Sequence, residues 1–592
     1  MDKKIEERLI EIHRLALLGK AGEIAAKIGA QLTLHWNNNN QFLLAAKMGL
    51  DTLSVVEDYR IFHQLARSEK ELGEVEKATK HYQQALDLCP LEDEEEKAAI
   101  LHNLAILKAK PPEIDEEIAL YTQSLELQER IGDVQGKAVT LHQLAGIKAT
   151  QGEIDEAMDL YTQSLELQER IGDVQGKAAT LHQLAGIKVT QGEIDEAMDL
   201  YNKSICLFRY IGDLQGQAAT LHQLAGIKGN QGEIHEAIDL YTQSMEIFEY
   251  IGDVQGKAAT LHQLAIIKAT QGEIDEAIDL YTQSLELNER IGDLQGKGAT
   301  LHQLAIIKAT QGEIDEAIDL YTQSLELKER IGDVQGKAVT LHQLAGIKVN
   351  QGQIDEAIDL HTQSLELNER IGNLQGIAAT LHQLAGIKVN QGQIDEAISL
   401  STQSMEIFER IGDVQGKGAT LHQLAIIKAN QGEIDEAIAL STQSLELNER
   451  IGNVQGKVAT LHCLASIKAT QGEIDEAIDL YTQSLELKER IGDLQGKAAT
   501  LHQLAIIKVN QGEIDEAIAL STQSMELNER IHNLQGKAPT LGILGQLLAS
   551  RGDFTTALEY MYESLDILER LRSPEAEKVR RTIVKIQKMA EG

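Results

Sequence analysis

Apolar residues recur along most of the chain at the three- and four-residue spacings that are typical of amphipathic helices. In residues 132–171 two such stretches follow each other: Val134, Ala138, Leu141 and Ala145, then Ile154, Ala157, Met158, Tyr161 and Leu165. Polar residues fill most of the positions between them, and Gly152 separates the two stretches. The pattern predicts two amphipathic helices, A and B, joined by a short turn.

This unit repeats along the chain with little change. The motif LHNLA, LHQLA or a close variant opens eleven consecutive blocks of forty residues from Leu101, and LGILG opens a twelfth at Leu541. A related unit, one residue shorter, begins at Phe62. Thirteen copies of one helix pair predict an all-α solenoid in which each copy packs against its neighbours.

Residues at the predicted helix ends repeat as well. The column of Asp133 contains only Asp or Asn as far as Asn533, and both residues accept hydrogen bonds from the free amides at a helix start. Gly152 follows helix A, and Gly172 follows helix B at the position that favours a left-handed residue. Helix B carries a second apolar stripe, which predicts contact with its own A helix and with the next repeat: Leu160, Ser164, Leu167 and Ile171.

The composition excludes several classes of function. The net charge is −37, from 55 Lys and Arg against 92 Asp and Glu, so we expect neither nucleic acid nor an anionic membrane as a partner. Cys89, Cys206 and Cys463 form no CxxC pair, which indicates a reducing compartment and no zinc knuckle. With no long apolar segment and no signal-peptide pattern at the N-terminus, we expect a cytoplasmic protein.

The repeat resembles the tetratricopeptide repeat (TPR). Leu144 and Ala145 lie at the Leu-Gly positions of that family, and Gly152 lies at its turn glycine. Ile154, Ala157 and Tyr161 lie at its aromatic, alanine and second aromatic positions. The forty-residue length and the Gly-Asp-x-x-Gly junction resemble the long repeats of Partner-of-Inscuteable adaptors and of bacterial arrays associated with signalling. Some positions depart from the family pattern, among them Glu117 in place of Ala, and Pro111 and Pro112 in place of a turn glycine.

The resemblance implies a right-handed superhelix with A helices on its inner wall and B helices outside. It covers about residues 62–580. Residues 1–61 are expected to form an N-terminal cap of three helices, near 5–18, 23–35 and 41–59. Residues 574–592 are expected to form a C-terminal capping helix that overlaps the last repeat and starts after Ser573 and Pro574.

Function is therefore expected on the inner face of the A helices. A histidine recurs in one column, which the resemblance places in the groove: His102, His142, His182, His222, His262, His302, His342, His382, His422, His462 and His502. A polar column accompanies it on the same helical face: Thr150, Thr190, Asn230, Thr270, Thr310, Asn350 and Asn390. The histidines have three interpretations, as residues retained by duplication for structure, as hydrogen-bonding groups for a partner, or as a metal ladder.

The metal interpretation is the weakest, because zinc needs three or four ligands and no Cys or carboxylate column joins the histidines. We expect no metal and no cofactor. If the imidazoles keep the reference pKa of about 6.5, partner binding that needs them neutral weakens as the pH falls to about 5.5. Aromatic residues near the ends of two successive B helices have two interpretations, as a second partner surface or as additional packing between repeats: Phe208, Tyr210, Phe248 and Tyr250.

No catalytic motif is recognisable, and we expect no enzyme. The recurring GDVQGKA has one spacer residue too few for a phosphate loop and lacks its Ser or Thr. The sequence predicts a protein-interaction scaffold that binds an extended or helical segment of a neutral to basic protein. The alternatives are a regulatory subunit of a bacterial signalling or immune complex with a separate enzyme, and a self-assembling structural protein.

Overall fold

The regular secondary structure is entirely α-helical in the residues that the structure, a computed structural model, describes, which are 2–108, 114–571 and 573–591. This confirms the predicted all-α fold of consecutive antiparallel helix pairs. The chain divides into two compact units after Gly296. Pro111 and Pro112 lie outside the described residues.

The first unit begins with three helices that precede the repeats: α1 (Lys3–Leu18), α2 (Gly22–Asn38) and α3 (Phe42–Leu53). Helix pairs follow: α4 (Tyr59–Glu71), α5 (Val75–Leu88), α6 (Glu94–Leu107), α7 (Ile114–Ile131), α8 (Val134–Thr150), α9 (Ile154–Ile171), α10 (Val174–Gln191), α11 (Ile194–Ile211), α12 (Leu214–Asn230), α13 (Ile234–Ile251), α14 (Val254–Thr270) and α15 (Ile274–Ile291). From α4 onward, even-numbered helices up to α28 are the A helices and odd-numbered helices up to α29 are the B helices.

The unit boundary lies within α16 (Leu294–Gln311). The second unit continues with α17 (Ile314–Ile331), α18 (Val334–Asn350), α19 (Ile354–Ile371), α20 (Leu374–Asn390), α21 (Ile394–Ile411), α22 (Val414–Gln431), α23 (Ile434–Arg450), α24 (Val454–Gln471), α25 (Ile474–Ile491), α26 (Leu494–Gln511), α27 (Ile514–Arg530), α28 (Leu534–Ser550) and α29 (Phe554–Arg570). The last helix is α30 (Ala576–Glu591).

The third N-terminal helix is shorter than the sequence pattern predicts. It ends at Leu53, whereas the prediction extended it to Tyr59. The reason is Asp58, whose backbone is extended and whose carboxylate accepts the Arg60 amide at 3.0 Å, so that Asp58 caps a new helix at Tyr59. Tyr59 therefore opens the first helix pair, α4 and α5.

The predicted helix ends are confirmed in the repeats. The Asp133 carboxylate accepts the Gly136 amide at 2.9 Å and starts α8. Gly152, which follows α8, has φ +81°, and Gly172, which ends α9, has φ +73°, a left-handed conformation that side chains other than glycine adopt at a cost. The aspartate and glycine columns thus set the boundaries of each helix pair.

The core of a repeat is completed by the next one. Ala145 on α8 packs with Ala157 and Tyr161 on α9, and with Leu184 and Ile187 on α10. Because residues of two consecutive repeats form this cluster, a single pair would leave apolar surface exposed. The second predicted stripe is buried at its polar member, since the fully buried Ser164 donates to the Ala138 carbonyl of α8 at 2.7 Å, but the prediction is wrong for Ile171, which is 39% exposed at the end of the helix.

No helix within the described residues combines the length and the apolar character needed to cross a bilayer.

Candidate functional site

The histidine column lies on the A helices, where nine of the rings contact the following A helix. In both units, the Nδ1 atom of a histidine lies 2.9 to 3.3 Å from the Oγ1 atom of the threonine 38 residues later. The pairs are His102–Thr140, His142–Thr180, His182–Thr220, His222–Thr260, His302–Thr340, His342–Thr380, His382–Thr420, His462–Thr500 and His502–Thr540. The column therefore links consecutive repeats.

The hydrogen bonds of the threonine determine which ring nitrogen carries the proton. Thr220 donates its hydroxyl proton to the Gly216 carbonyl at 2.7 Å, so its oxygen accepts from the Nδ1–H of His182. The same argument applies to His342, because Thr380 donates to Gly376 at 2.8 Å. In these neutral rings Nδ1 is the donor, and Nε2 keeps a lone pair that can accept a hydrogen bond.

Burial also lowers the basicity of the histidines. His142 packs edge-on against Tyr161 with 5.2 Å between ring centroids, and His262 packs in the same way against Tyr281 at 5.3 Å. Desolvation lowers the pKa of His142, and it lowers the pKa of His262 to about 4. The assumption of a pKa near the reference value is therefore wrong for these residues, because an imidazolium is poorly solvated at this packed position. The described residues contain no cluster of three or more His, Cys, Asp or Glu that could hold a metal ion.

A cavity of about 640 Å³ opens on the A helices of the second unit. It crosses four consecutive A helices, α16, α18, α20 and α22, and its lining includes Thr310, Asn350 and Asn390 of the predicted polar column. These three residues are exposed, as are the other members of that column: Thr150, Thr190, Asn230 and Thr270. Among the described residues that line the cavity, none is a histidine and none is charged.

The cavity also contains residues that the sequence analysis did not select. Gln343, Gln383 and Gln423 line it, one from each of three successive A helices. Each glutamine directly follows a histidine in the LHQLA motif, so its constancy within the chain was a signal that pointed to this column. Gly346 and Gly386 have no side chain and leave space between these glutamines, whereas Ile306 and Ile426 supply apolar surface at the two ends of the cavity.

Charged side chains pair between the end of helix A and helix B. In the first unit the Lys148 ammonium, at the end of helix A, contacts the carboxylates of Glu153 at 2.6 Å and Glu156 at 3.0 Å on helix B. Both glutamates are about half exposed, and the same arrangement recurs in the second unit around Lys428. The acidic surface of the chain is therefore concentrated on the B helices and at the A–B turns.

For the two phenylalanines of the aromatic group, the structure supports packing between repeats and not a partner surface. Phe208 and Phe248 are only 5% and 4% exposed, because their rings fill the space beside Gly216 on the next A helix and its equivalent Gly256. A Cβ atom on Gly216 would lie 2.5 Å from the Phe208 ring, so this glycine is required by the packing. Tyr210 and Tyr250 are about four-fifths exposed and remain candidates for contact with a partner: 82% and 81%.

These features define the class of the protein as a helical repeat array, with a candidate binding surface on one helix of each pair. Comparison with protein families then gives the family: the model described as tetratricopeptide repeat matches residues 58–130, 136–209, 216–290, 296–370, 376–450, 416–490, 456–530 and 496–570. The chain belongs to the tetratricopeptide repeat family. A comparison with curated protein sequences finds no match.

Solved structures of related shape include the APC/C hetero-tetramer Cut9-Hcn1, with 16% identity, 90% of this chain and 99% of that chain covered, and a TM-score of 0.47. A Rap protein complexed with competence and sporulation factor has 14% identity, with 56% of this chain and 99% of that chain covered, and a TM-score of 0.40. The nearly identical TPR-like repeats of a putative kinesin light chain from Podosopora anserina have 23% identity, 32% and 95% coverage, and a TM-score of 0.28.

Proposed function

We propose that this chain is a protein-interaction scaffold whose A-helix face binds an extended or helical segment of another protein. The observation that carries the proposal is the cavity of about 640 Å³ across α16, α18, α20 and α22. A surface that crosses four repeats with uncharged side chains suits a chain segment, which can contact one repeat after another.

Side-chain amides would supply the hydrogen bonds. Gln343, Gln383, Asn350 and Asn390 each carry a donor and an acceptor, which is what the peptide groups of a bound segment require. Ile306 and its neighbours would bury apolar side chains of the partner. The exposed residues of the equivalent polar column in the first unit, including Thr150, Thr190, Asn230 and Thr270, belong to the same proposal.

The histidine column has a secondary part in this proposal, as a set of neutral acceptors. Because Nδ1 is used within the array, only Nε2 would be available to a partner. The net charge of −37 favours a neutral to basic partner through long-range attraction.

The two ends of the chain are proposed as caps, with residues 1–61 before the repeats, about 62–580 as repeats, and 574–592 at the C-terminus. The packing of α30 supports the second cap: Ile583 and Ile586 pack with Ala557 and Met561 of α29. Its charged side chains face away from this contact, as expected for a helix that ends an array.

The experiment blocks the cavity without disturbing the fold. A Cβ atom on Gly346 would meet no atom within 4 Å, so Gly346→Phe should place a ring in open space within the cavity. Gln363→Phe adds the same ring to an exposed position of helix B in the same repeat and serves as the matched control. Purified wild-type and variant proteins are used as bait under identical conditions, and captured proteins are quantified by mass spectrometry.

We expect at least one captured protein to be lost with Gly346→Phe and retained with Gln363→Phe. Cross-links from that protein should then map to the A helices. If both variants capture the same proteins in the same amounts as the wild type, the A-helix face is not the binding surface and the proposal fails.

A further inference from the structure

A second cavity, of about 820 Å³, lies in the repeat that contains Lys488. Its walls come from α22, α24, the end of α25 and the start of α26, and they include His462, Cys463 and Ser466. We call it the Lys488 cavity. It shares Ile426 with the cavity described above but holds different polar groups.

Two of the α24 side chains that line the cavity are small and differ from their equivalents in the other repeats of this series. Cys463 stands where the other repeats from Gln143 to Gln503 have glutamine, and Ser466 stands where they have glycine or isoleucine. The next repeat provides a comparison, because its corresponding space is lined by His502, Gln503 and Asn528 and measures only about 290 Å³. The small side chain at position 463 accompanies a cavity almost three times as large as this one, although a space of about 720 Å³ also lies beside Ile543 and Gln546, the equivalents of Cys463 and Ser466 two repeats later.

The cationic group of this cavity is buried and lacks a paired anion. Lys488 is 5% exposed, and its Nζ atom donates to Thr500 Oγ1 at 2.7 Å and lies 3.5 Å from His462 Nδ1. Within the described residues it forms no ion pair; the carboxylate that faces it, on Asp493, caps α26 by accepting the Gly496 amide at 2.7 Å. Desolvation lowers the pKa of Lys488, while Asp493 opposes that shift.

A histidine in the wall of the cavity has a ring nitrogen without a hydrogen-bond partner in the described part of the chain. His422 lines it, and its buried Nδ1 atom has no hydrogen-bond partner among the described residues. The threonine expected to pair with it, Thr460, lies instead 3.1 Å from Ser444 Oγ and donates to the Gly456 carbonyl at 2.8 Å.

We propose that the Lys488 cavity binds a small organic carboxylate with a short apolar body. The carboxylate pairs with the Lys488 ammonium, which forms no ion pair within the described residues although Asp493 lies nearby. The apolar body contacts Val458 and Ile426 in the walls. The site goes beyond the scaffold function, because Lys488, its cation, does not line the first cavity.

The array supplies matched variants for the test. Lys488→Gln introduces the residue that is buried at the equivalent position Gln168, and Cys463→Gln restores the glutamine of the other repeats. The control is Lys328→Gln: Lys328 is equally buried and donates to Thr340 at 2.8 Å, but its repeat keeps Gln303 and Ile306 at the positions of Cys463 and Ser466. Circular dichroism verifies that each full-length variant is folded.

The probes are hexanoate, which represents a free organic acid, and N-acetyl-leucine, which represents the carboxyl terminus of a bound chain. Calorimetric titration of the full-length protein at pH 7 should show one site with a Kd of about 1 mM or tighter for at least one probe. The probe that binds more tightly identifies whether the carboxylate belongs to a free organic acid or to the carboxyl terminus of a chain. Uncharged 1-hexanol should bind about ten-fold more weakly or not at all.

Lys488→Gln and Cys463→Gln should each weaken binding about ten-fold or more, the first by removing the charge and the second by filling the space. Lys328→Gln should leave the affinity unchanged. The proposal is overturned if neither probe binds the wild type, if 1-hexanol binds as tightly as hexanoate, or if Lys488→Gln or Cys463→Gln binds with wild-type affinity.

Discussion

The aromatic column of helix B offers the sharpest test of how the array is held together. Tyr321 on α17 is 2% exposed and packs with Ala305 on α16 and with Leu344 and Ile347 on α18. Its ring also meets His302 edge-on, with 5.3 Å between centroids. Because this one side chain contacts two repeats, Tyr321→Ser should open both locally.

The expected loss follows from the buried area. A buried aromatic side chain removes about 150 to 250 Å² from water, which at about 25 cal/mol per Å² corresponds to about 4 to 6 kcal/mol. The unfolded chain already buries part of that area, so the net loss should be about 3 to 5 kcal/mol, the range found for large-to-small core substitutions. Since about 1.4 kcal/mol is a factor of ten, amides of α17 should exchange about a hundred-fold faster or more.

The assay is native-state hydrogen exchange followed by mass spectrometry. Peptides from α17 and α18 should lose protection, whereas peptides from α25 and α26 should not, because each repeat contacts only its neighbours. Gln323→Ser, at an exposed position of the same helix, is the control. The reasoning is refuted if α17 keeps wild-type protection within about three-fold, or if α25 loses as much as α17.

The wild-type chain already contains the same change in other repeats. The aromatic column holds fully buried serines on α21, α23 and α27, and on the last two the hydroxyl groups have no hydrogen-bond partner within the described residues: Ser401, Ser441 and Ser521. Helices with Tyr in this column are therefore predicted to be better protected from hydrogen exchange than helices with Ser. Equal protection of α17 and α21 would contradict it.

Three further predictions concern the stability of the full chain, measured as the midpoint of urea unfolding. Gly216→Ala should destabilise by about 1 to 3 kcal/mol, because the new Cβ atom would lie 2.5 Å from the Phe208 ring. Pro539→Ala should stabilise by up to about 3 kcal/mol, because a proline inside α28 removes a helical hydrogen bond. Lowering the pH from 7 to 5 should reduce the free energy of unfolding, because burial lowers the pKa of His142 and His182 and both therefore take up a proton more readily when the chain is unfolded. The stability that the neutral histidines contribute is fully present above about pH 6.5 and is lost as the pH falls toward the pKa of the folded state. Replacing both histidines by Gln should reduce that loss by up to about 1.4 kcal/mol per pH unit for each site.

The helix boundaries could be predicted from the sequence because the signals that set them are local. The capping bond from Asp133 to the Gly136 amide spans three residues, and the left-handed Gly172 needs no distant partner. The forty-residue period then extends each local prediction to every copy. The third N-terminal helix was misjudged where the period is absent, since the cap at Asp58 interrupts an otherwise helical pattern.

The packing between repeats could be predicted much less well. The His142–Thr180 hydrogen bond joins residues 38 positions apart. The sequence shows that the histidine and threonine columns are constant, but it does not show that their side chains contact each other. The sequence left open whether Phe208 forms a surface or packs between repeats, because polar residues occupy its column elsewhere, but Gln168 at the same position is also buried, at 2% exposure. Burial at this column depends on Gly216 and its equivalents in the next repeat, which is a contact that helical periodicity alone does not reveal.

The variable buried column connects these observations with the proposed sites. Beneath the constant glycines of the A helices, position 168 and its equivalents hold a glutamine, a phenylalanine, an asparagine or a lysine, each largely buried: Gln168, Phe208, Asn288 and Lys488. A near-identical backbone surrounds every one of them, so differences between repeats must come from the few columns that change. Where a lysine in this column coincides with the small Cys463 and Ser466, a cation faces a cavity; where Lys328 coincides with Gln303 and Ile306, the same cation lies beneath larger side chains. In an array built from copies, a repeat in which substitutions in several columns coincide, as at Cys463, Ser466 and Lys488, is therefore the first place to seek a ligand-specific site.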